Sequence, residues 1–404
     1  MKMERHVSRL SILHRTLLTV ACALALPAVA TAGAPDPRQY MHGISAVPGA
    51  KADTFNVFFS SSGLPPRGAD RSGNWPHDVY VAQWHADTGV LDAPRIFIQK
   101  PEAQEPVTVA RNRAGQVMVS FEDGWNAPEN VNQRFGIYDT ALRPIKPYPQ
   151  LVESGSHSGH ITAVGDRFVV FYSDGWITGG GVDNLGSGNG VYLKVYDGRG
   201  RRLHNVDVAD GRREWWPMVA GGSTNALLAW QQFVPGQTEA NLKIAVFDPV
   251  SGRVTGEQLL HKHLQYYTYS VTWMPAIERY LLVGVAKGNG FADLIDTTGK
   301  VRASIPCMPA TVREAGIAVN QNTAYTPAAD GRLLQLQAGP DSLTLSATLL
   351  NTDGKRVQWR PVGSTGLLRT SGAIDWMSLT EKGLEQLHFD PAKMQPANAV
   401  DQCR

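Results

Sequence analysis

An all-β fold built from one repeated four-stranded unit is what this sequence predicts, and three observations predict it. Short apolar runs begin at Phe55, Val117, Phe168, Ala226, Tyr280, Thr323 and Ile374. Runs such as Phe168-Val-Val-Phe-Tyr lack polar alternation, as strands covered on both faces do. Their starts lie 43 to 62 residues apart, near the roughly 40–50 residues of a repeating sheet unit. Each run also has the same neighbours, and almost no stretch shows a helical period.

Those neighbours complete the unit. Ahead of a run lies a strand of small residues, as in Gly43-Ile-Ser-Ala-Val47, His160-Ile-Thr-Ala-Val164 and Trp216-Pro-Met-Val-Ala220. Behind it comes an alternating strand that ends in a polar turn, as in Val191-Tyr-Leu-Lys-Val-Tyr-Asp197. The turns Asp197-Gly-Arg-Gly200 and Asp296-Thr-Thr-Gly299 suit hairpins. A more polar fourth strand, such as Pro94-Arg-Ile-Phe-Ile98, closes the unit. Four strands repeated about seven times predict a seven-bladed β-propeller over residues 33–404. Six and eight blades are the rival counts, and a pair of β-sandwiches is the rival fold. An open ring would expose an unpaired edge. The last unit lacks an outer strand after His388, so residues Arg38 to His42 are expected to complete it.

The start of the chain reads as an address. Lys2, Arg5, Arg9 and Arg15 precede an apolar run from Leu17 to Ala30, and Ala30-Thr31-Ala32 fits a small-x-small cleavage site. Residues 1–32 are therefore expected to be a signal peptide, and the protein to be exported, to a periplasm or beyond the cell. No other apolar run is long enough for a membrane span. Removing residues 1–32 takes four basic residues and one acid from totals of 38 and 36, leaving 34 against 35. A net charge of −1 leaves no basic stripe for nucleic acid. Cys307 and Cys403 then remain, and in an oxidising compartment they are candidates to pair.

The expected site follows from loop length. Connections between second and third strands are long in the first four units (Ser60–Pro76, Glu122–Gln133, Ser173–Gly190, Gln231–Asn241) and tight in the last three. Long loops on a rigid frame tend to carry function. They hold Trp75, Trp125 and Trp176, with Trp215-Trp216 nearby, and flat rings stack on sugar C–H faces. Trp125 and Trp176 recur at matching positions, as structural residues do, and read rather as packing plugs between blades. Trp75 and Trp216 are the stacking candidates for an oligo- or polysaccharide.

The loops between units add Glu105, His157, His160, Arg213, Tyr267, Tyr269 and Arg313 at the same mouth. His160 is the candidate for neutralising or removing a proton beside a carboxylate, Tyr269 for donating one, and Arg213 for holding the acid group. Glu105, His157, Tyr267 and Arg313 are further binding candidates. This set resembles what propeller polysaccharide lyases use, in architecture and residue type, over the mature chain. A lyase or glycoside hydrolase is thereby implied if the protein is an enzyme. A non-catalytic propeller binding glycan or protein at the cell envelope stays open beside it.

Sharper motifs are missing. Ser173-Asp-Gly-Trp176 resembles part of an Asp-box but ends a second strand and lacks the rest. Asp174, Asp183, Asn184 and Asn189 are oxygen donors a Ca²⁺ would take, without the spacing of an EF-hand loop. His261-Lys-His263 offers two imidazoles and no third ligand. No cofactor or metal is expected.

Overall fold

A computed structural model describes residues 43–68, 76–101, 104, 106–124, 131–174, 189–210, 213–359 and 364–397. Every regular element among them is a strand, and the strands fall into successive antiparallel meanders. The first holds β1 (Ile44–Pro48), β2 (Thr54–Ser61), β3 (Asp78–His85) and β4 (Arg95–Ile98). Next come β5 (Thr108–Arg111), β6 (Val117–Asp123), β7 (Asn132–Tyr138) and β8 (Pro144–Ser154). The third contains β9 (Ser156–Val164), β10 (Arg167–Asp174), β11 (Gly190–Tyr196) and β12 (Arg202–Asp210). The fourth contains β13 (Glu214–Gly221), β14 (Ala226–Phe233), β15 (Ala240–Asp248) and β16 (Arg253–Leu264).

A single pair, Leu264↔Ala286, joins that sheet to β17 (Ser270–Met274), β18 (Arg279–Ala286), β19 (Asn289–Ile295) and β20 (Val301–Met308). Then follow β21 (Ala318–Asn320), β22 (Thr323–Pro327), β23 (Leu333–Gly339) and β24 (Ser342–Leu350). The final group is β25 (Thr365–Leu368), β26 (Ile374–Thr380) and β27 (Gly383–Phe389). The chain then returns, and β28 (Gln395–Pro396) pairs with β24.

The second strands are the apolar runs of the sequence, and they are buried almost throughout: β6 and β26 are buried at every residue. Fourth strands alternate buried or half-buried with exposed residues, as their polar composition requires; β20 does so along most of its length. Meanders stack face to face, and each contact surface is an apolar core. Phe58 and Val81 meet Val119 and Phe121 between the first two. The series ends where Met377 and Leu379 of β26 meet Phe59, Tyr80 and Trp84 of the first meander. First strands lie beside first strands: β1 by β5, β5 by β9, β9 by β13, β13 by β17, and β25 by both β21 and β1. A succession of meanders whose last core is shared with its first is a closed ring, the β-propeller architecture.

The inner strands approach closely. Gly43 has φ +76°, and a Cβ there would stand 2.5 Å from the Val107 backbone nitrogen, so only glycine fits. The third-to-fourth turns carry the expected aspartates. Asp139, Asp197 and Asp296 each accept backbone N–H bonds from the residues two and four further on. The last meander has three strands among the described residues, as the missing outer strand implied; the residues expected to complete it, Arg38 to His42, lie outside the described set. The long run after β24 packs back on the β22–β23 turn, where Val357 N–H donates to Gly331 O at 2.7 Å.

Candidate functional site

Loop lengths are uneven around the ring. From β2 to β3, β6 to β7, β10 to β11 and β14 to β15 the chain makes long connections, whereas Lys287-Gly288 alone joins β18 to β19 and Glu381-Lys382 joins β26 to β27. Because first and second strands are antiparallel, the start of each first strand lies at the same face as these loops.

Backbone strain marks that face. Ser158, Trp216, Tyr267 and Glu314 adopt φ of 57°, 55°, 61° and 54°, near the starts of the first strands of four consecutive meanders. Left-handed backbone is costly away from glycine, so each residue has to be held. The Ser158 N–H donates to the Glu122 carboxylate. The Tyr267 N–H donates to Gln231 Oε1 at 2.8 Å. The Tyr269 hydroxyl donates to the Trp216 carbonyl, and the Glu314 N–H donates to Tyr267 O at 3.2 Å. Pairing slips between Phe171 and Ser173 and between Trp215 and Met218, so β9 and β13 are bulged there. Two residues beyond each strained position, His160, Met218, Tyr269 and Gly316 line one cavity.

That cavity, of about 240 Å³, sits where the first strands converge. Ser45, Thr108, Trp216, Glu314, Ser364 and Thr365 line it as well. His160 stands edge-on to Trp216, ring centres 5.8 Å apart, and its Nδ1 lies 3.2 Å from Ser158 O. Trp216 is edge-on to Tyr267 at 4.6 Å, and the Arg313 guanidinium lies 4.5 Å from the Tyr267 ring centre. Arg313 Nε donates to Glu314 Oε1 at 2.9 Å. Tyr269 is fully buried, which pushes its phenol well above the ordinary range, and its proton is committed to the Trp216 carbonyl.

The residues singled out in the sequence therefore divide. His160, Trp216 and Tyr269 come together on the cavity, with Tyr267 against Trp216 and Arg313 over the Tyr267 ring. Arg213 lines a different cavity, of about 470 Å³, with Gln232, Phe233, Val234, Pro235 and Asn241. His157 pairs with Ser173 through its backbone. Trp75 and Glu105, like Trp125 and Trp176, lie outside the described residues, as do Asp183 and Asn184 of the Ca²⁺ candidate. His261 and His263 turn to separate carboxylates, Asp293 at 2.6 Å and Glu239 at 2.8 Å. Among the described residues no cluster of three or more His, Cys, Asp or Glu is placed to hold a metal. Cys307 is disulfide-bonded, with its partner outside the described residues.

Glu122 and Gln231 are functional-face residues that the sequence reading missed, although a signal was present. Each is the sixth residue of its buried run, and Ser173 and Ser60 occupy the same place in theirs. All four are buried polar side chains closing an apolar stretch on the long-loop side of the first four meanders. A polar group in that setting needs a stated partner.

No protein-family model and no curated protein matches this sequence. The structure is similar to hydrazine synthase of Kuenenia stuttgartiensis, with a TM-score of 0.51 at 14% identity, over 89% of this chain and 98% of that one. It also aligns with the β-propeller domain of the Trilobed protease from Pyrococcus furiosus (TM-score 0.46, 8% identity, 90% and 98% covered). A third alignment is with the polysaccharide lyase Uly1 (TM-score 0.47, 10% identity, 86% and 90% covered). At such identities the likeness is one of fold alone.

Proposed function

We propose that this is an exported, seven-bladed β-propeller that binds the end of an oligosaccharide in the cavity at the centre of its long-loop face. The observation that carries the reading is the convergence of Trp216, His160 and Glu314 on one cavity beside the uneven rim. The half-buried indole offers an apolar face for a sugar ring. Ser45, Thr108, Ser364 and Thr365 supply hydroxyls that both donate and accept, which suits a ligand made of hydroxyl groups. At about 240 Å³ the cavity is smaller than the ~300–1,000 Å³ of drug-sized sites. It suits one terminal unit, with the rest of the chain lying across the rim. The basic-then-apolar start of the sequence supports export, and the succession of meanders from β1–β4 to β25–β27 supports the blade count.

Cleavage is the second reading, and the His160 geometry favours it. An imidazole on the cavity wall beside Trp216, with Nδ1 3.2 Å from Ser158 O, is the residue suited to take a substrate proton. Tyr269 suits the donor's part poorly, because its proton is held by the Trp216 carbonyl. Calorimetric titration of neutral and acidic oligosaccharides into wild type and Trp216→Ala tests binding. An assay for new reducing or unsaturated ends, with His160→Ala as control, tests cleavage. Failure of any oligosaccharide to bind the wild type would end the reading.

A further inference from the structure

Arg213 immediately precedes β13, and its carbonyl accepts the Phe233 N–H at 2.9 Å where the β14–β15 loop departs. Its guanidinium carbon lies 5.0 Å from the Phe233 ring centre. Nε and Nη2 are both buried, and among the described residues no atom accepts their hydrogens. Those two nitrogens form the edge that grips a carboxylate in a fork. Elsewhere in this protein the same edge is filled: Arg369 Nε and Nη2 hold Asp375 at 2.8 and 2.9 Å, and Arg113 holds Asp166 at 3.3 and 2.9 Å. The adjacent carboxylate of Glu214 cannot serve. It is taken by the Trp230 indole N–H, by Gln232 Nε2 at 2.8 Å and by Lys243 Nζ at 3.3 Å.

Buried N–H groups without an acceptor are unfavourable, and an anion delivered through the cavity relieves them. We propose that Arg213 and its cavity form a second subsite that takes the carboxylate of an acidic sugar, a sulfate ester being the alternative source of the same charge. Asn241 and Gln232 border this cavity, their amides held in a chain from Asn241 Nδ2 to Gln232 Oε1 at 3.1 Å and from Gln232 Nε2 to Glu214, and Phe233, Val234 and Pro235 give it an apolar wall. Trp216 lies three residues further along the chain, in β13. A chain whose terminal unit rests by Trp216 therefore passes Arg213 with a neighbouring unit. The inference rests on the glycan-binding reading and narrows it to acidic oligosaccharides.

Thermal melts of the full chain with glucuronate, glucose 6-sulfate and glucose at millimolar concentration test the subsite alone. Glucuronate is expected to raise the midpoint of the wild type, less so at high salt, and to leave Arg213→Gln unmoved; glucose is expected to do nothing. An equal response to glucose 6-sulfate would assign the subsite to either anion. The variant itself is expected to melt at or above the wild-type temperature, because it sheds two buried N–H groups that lack an acceptor. A marked fall in its midpoint, no glucuronate effect on the wild type, or an equal effect on Arg213→Gln would overturn the proposal. Calorimetry with neutral oligosaccharides separates the two claims. If they bind and Trp216→Ala abolishes binding while glucuronate shows no Arg213 dependence, the subsite fails and the glycan reading stands. If glucuronate binds through Arg213 and no oligosaccharide binds at all, the anion subsite stands and the glycan reading fails.

Discussion

The Trp84 indole N–H donates to Asp375 Oδ2 at 3.0 Å, joining residues 291 apart in sequence. Trp84 belongs to the first meander and Asp375 to the last, so this bond crosses the seam of the ring. Asp375 is wholly buried, and Arg369 and His388 also hold it, the latter through Nδ1 at 2.9 Å. Removing the carboxylate strands a half-buried guanidinium and an indole N–H. Asp375→Ala is expected to cost about 3–5 kcal/mol, as breaking one side of a buried ion pair does. Urea unfolding would measure it.

The same carboxylate sets a pH limit. Burial opposes its ionisation, yet the bonds from Arg369 and His388 outweigh burial and hold its pKa below the ordinary 3.8. A depressed folded-state pKa stabilises the fold above the unfolded value, and that contribution is lost as pH falls through the folded one. Stability is therefore expected to decline below about pH 4. The decline should be shallower in Asp375→Asn, followed by thermal melts across that range.

Glu122 is expected to position His160 without touching a ligand, because it fixes the Ser158 N–H two residues earlier. Glu122→Ala should lose about 1–3 kcal/mol of stability, the penalty of a stranded buried donor. It should also shift the His160 imidazole resonances in NMR. Glu122→Gln keeps an acceptor and should restore both.

Tyr269→Phe leaves the Trp216 carbonyl without its donor. The expected result is a stability loss of about 1–3 kcal/mol with oligosaccharide affinity reduced only modestly. If cleavage is found, its rate should fall little in this variant. Loss of all cleavage with unchanged stability would give the phenol a direct chemical part.

The Cys307 disulfide should be visible in solution. Reduction, or Cys307→Ser, is expected to lower stability by about 2–4 kcal/mol. Melting with and without reductant reads this, and an identical midpoint would contradict it.

The strands were legible because a sheet covered on both faces leaves runs such as Phe168–Tyr172 and Ala226–Trp230 without polar alternation. Loop asymmetry was legible for a similar reason, since spacing between runs is visible without coordinates. What the residues at the mouth do was harder to read. It depends on left-handed backbone at Trp216 and Tyr267, a conformation that bulky side chains rarely announce. Arg213 and Trp216 are three residues apart, yet the bulge between Trp215 and Met218 helps place them on separate cavities. The Trp84–Asp375 bond, spanning almost the whole ring, has no local signal at all.

Calorimetric titration of an acidic oligosaccharide into wild type, Trp216→Ala and Arg213→Gln tests the central claim most directly. Binding by the wild type, with at least a tenfold loss in each variant, is the predicted result. Equal affinity in all three proteins, or none in any, would contradict it.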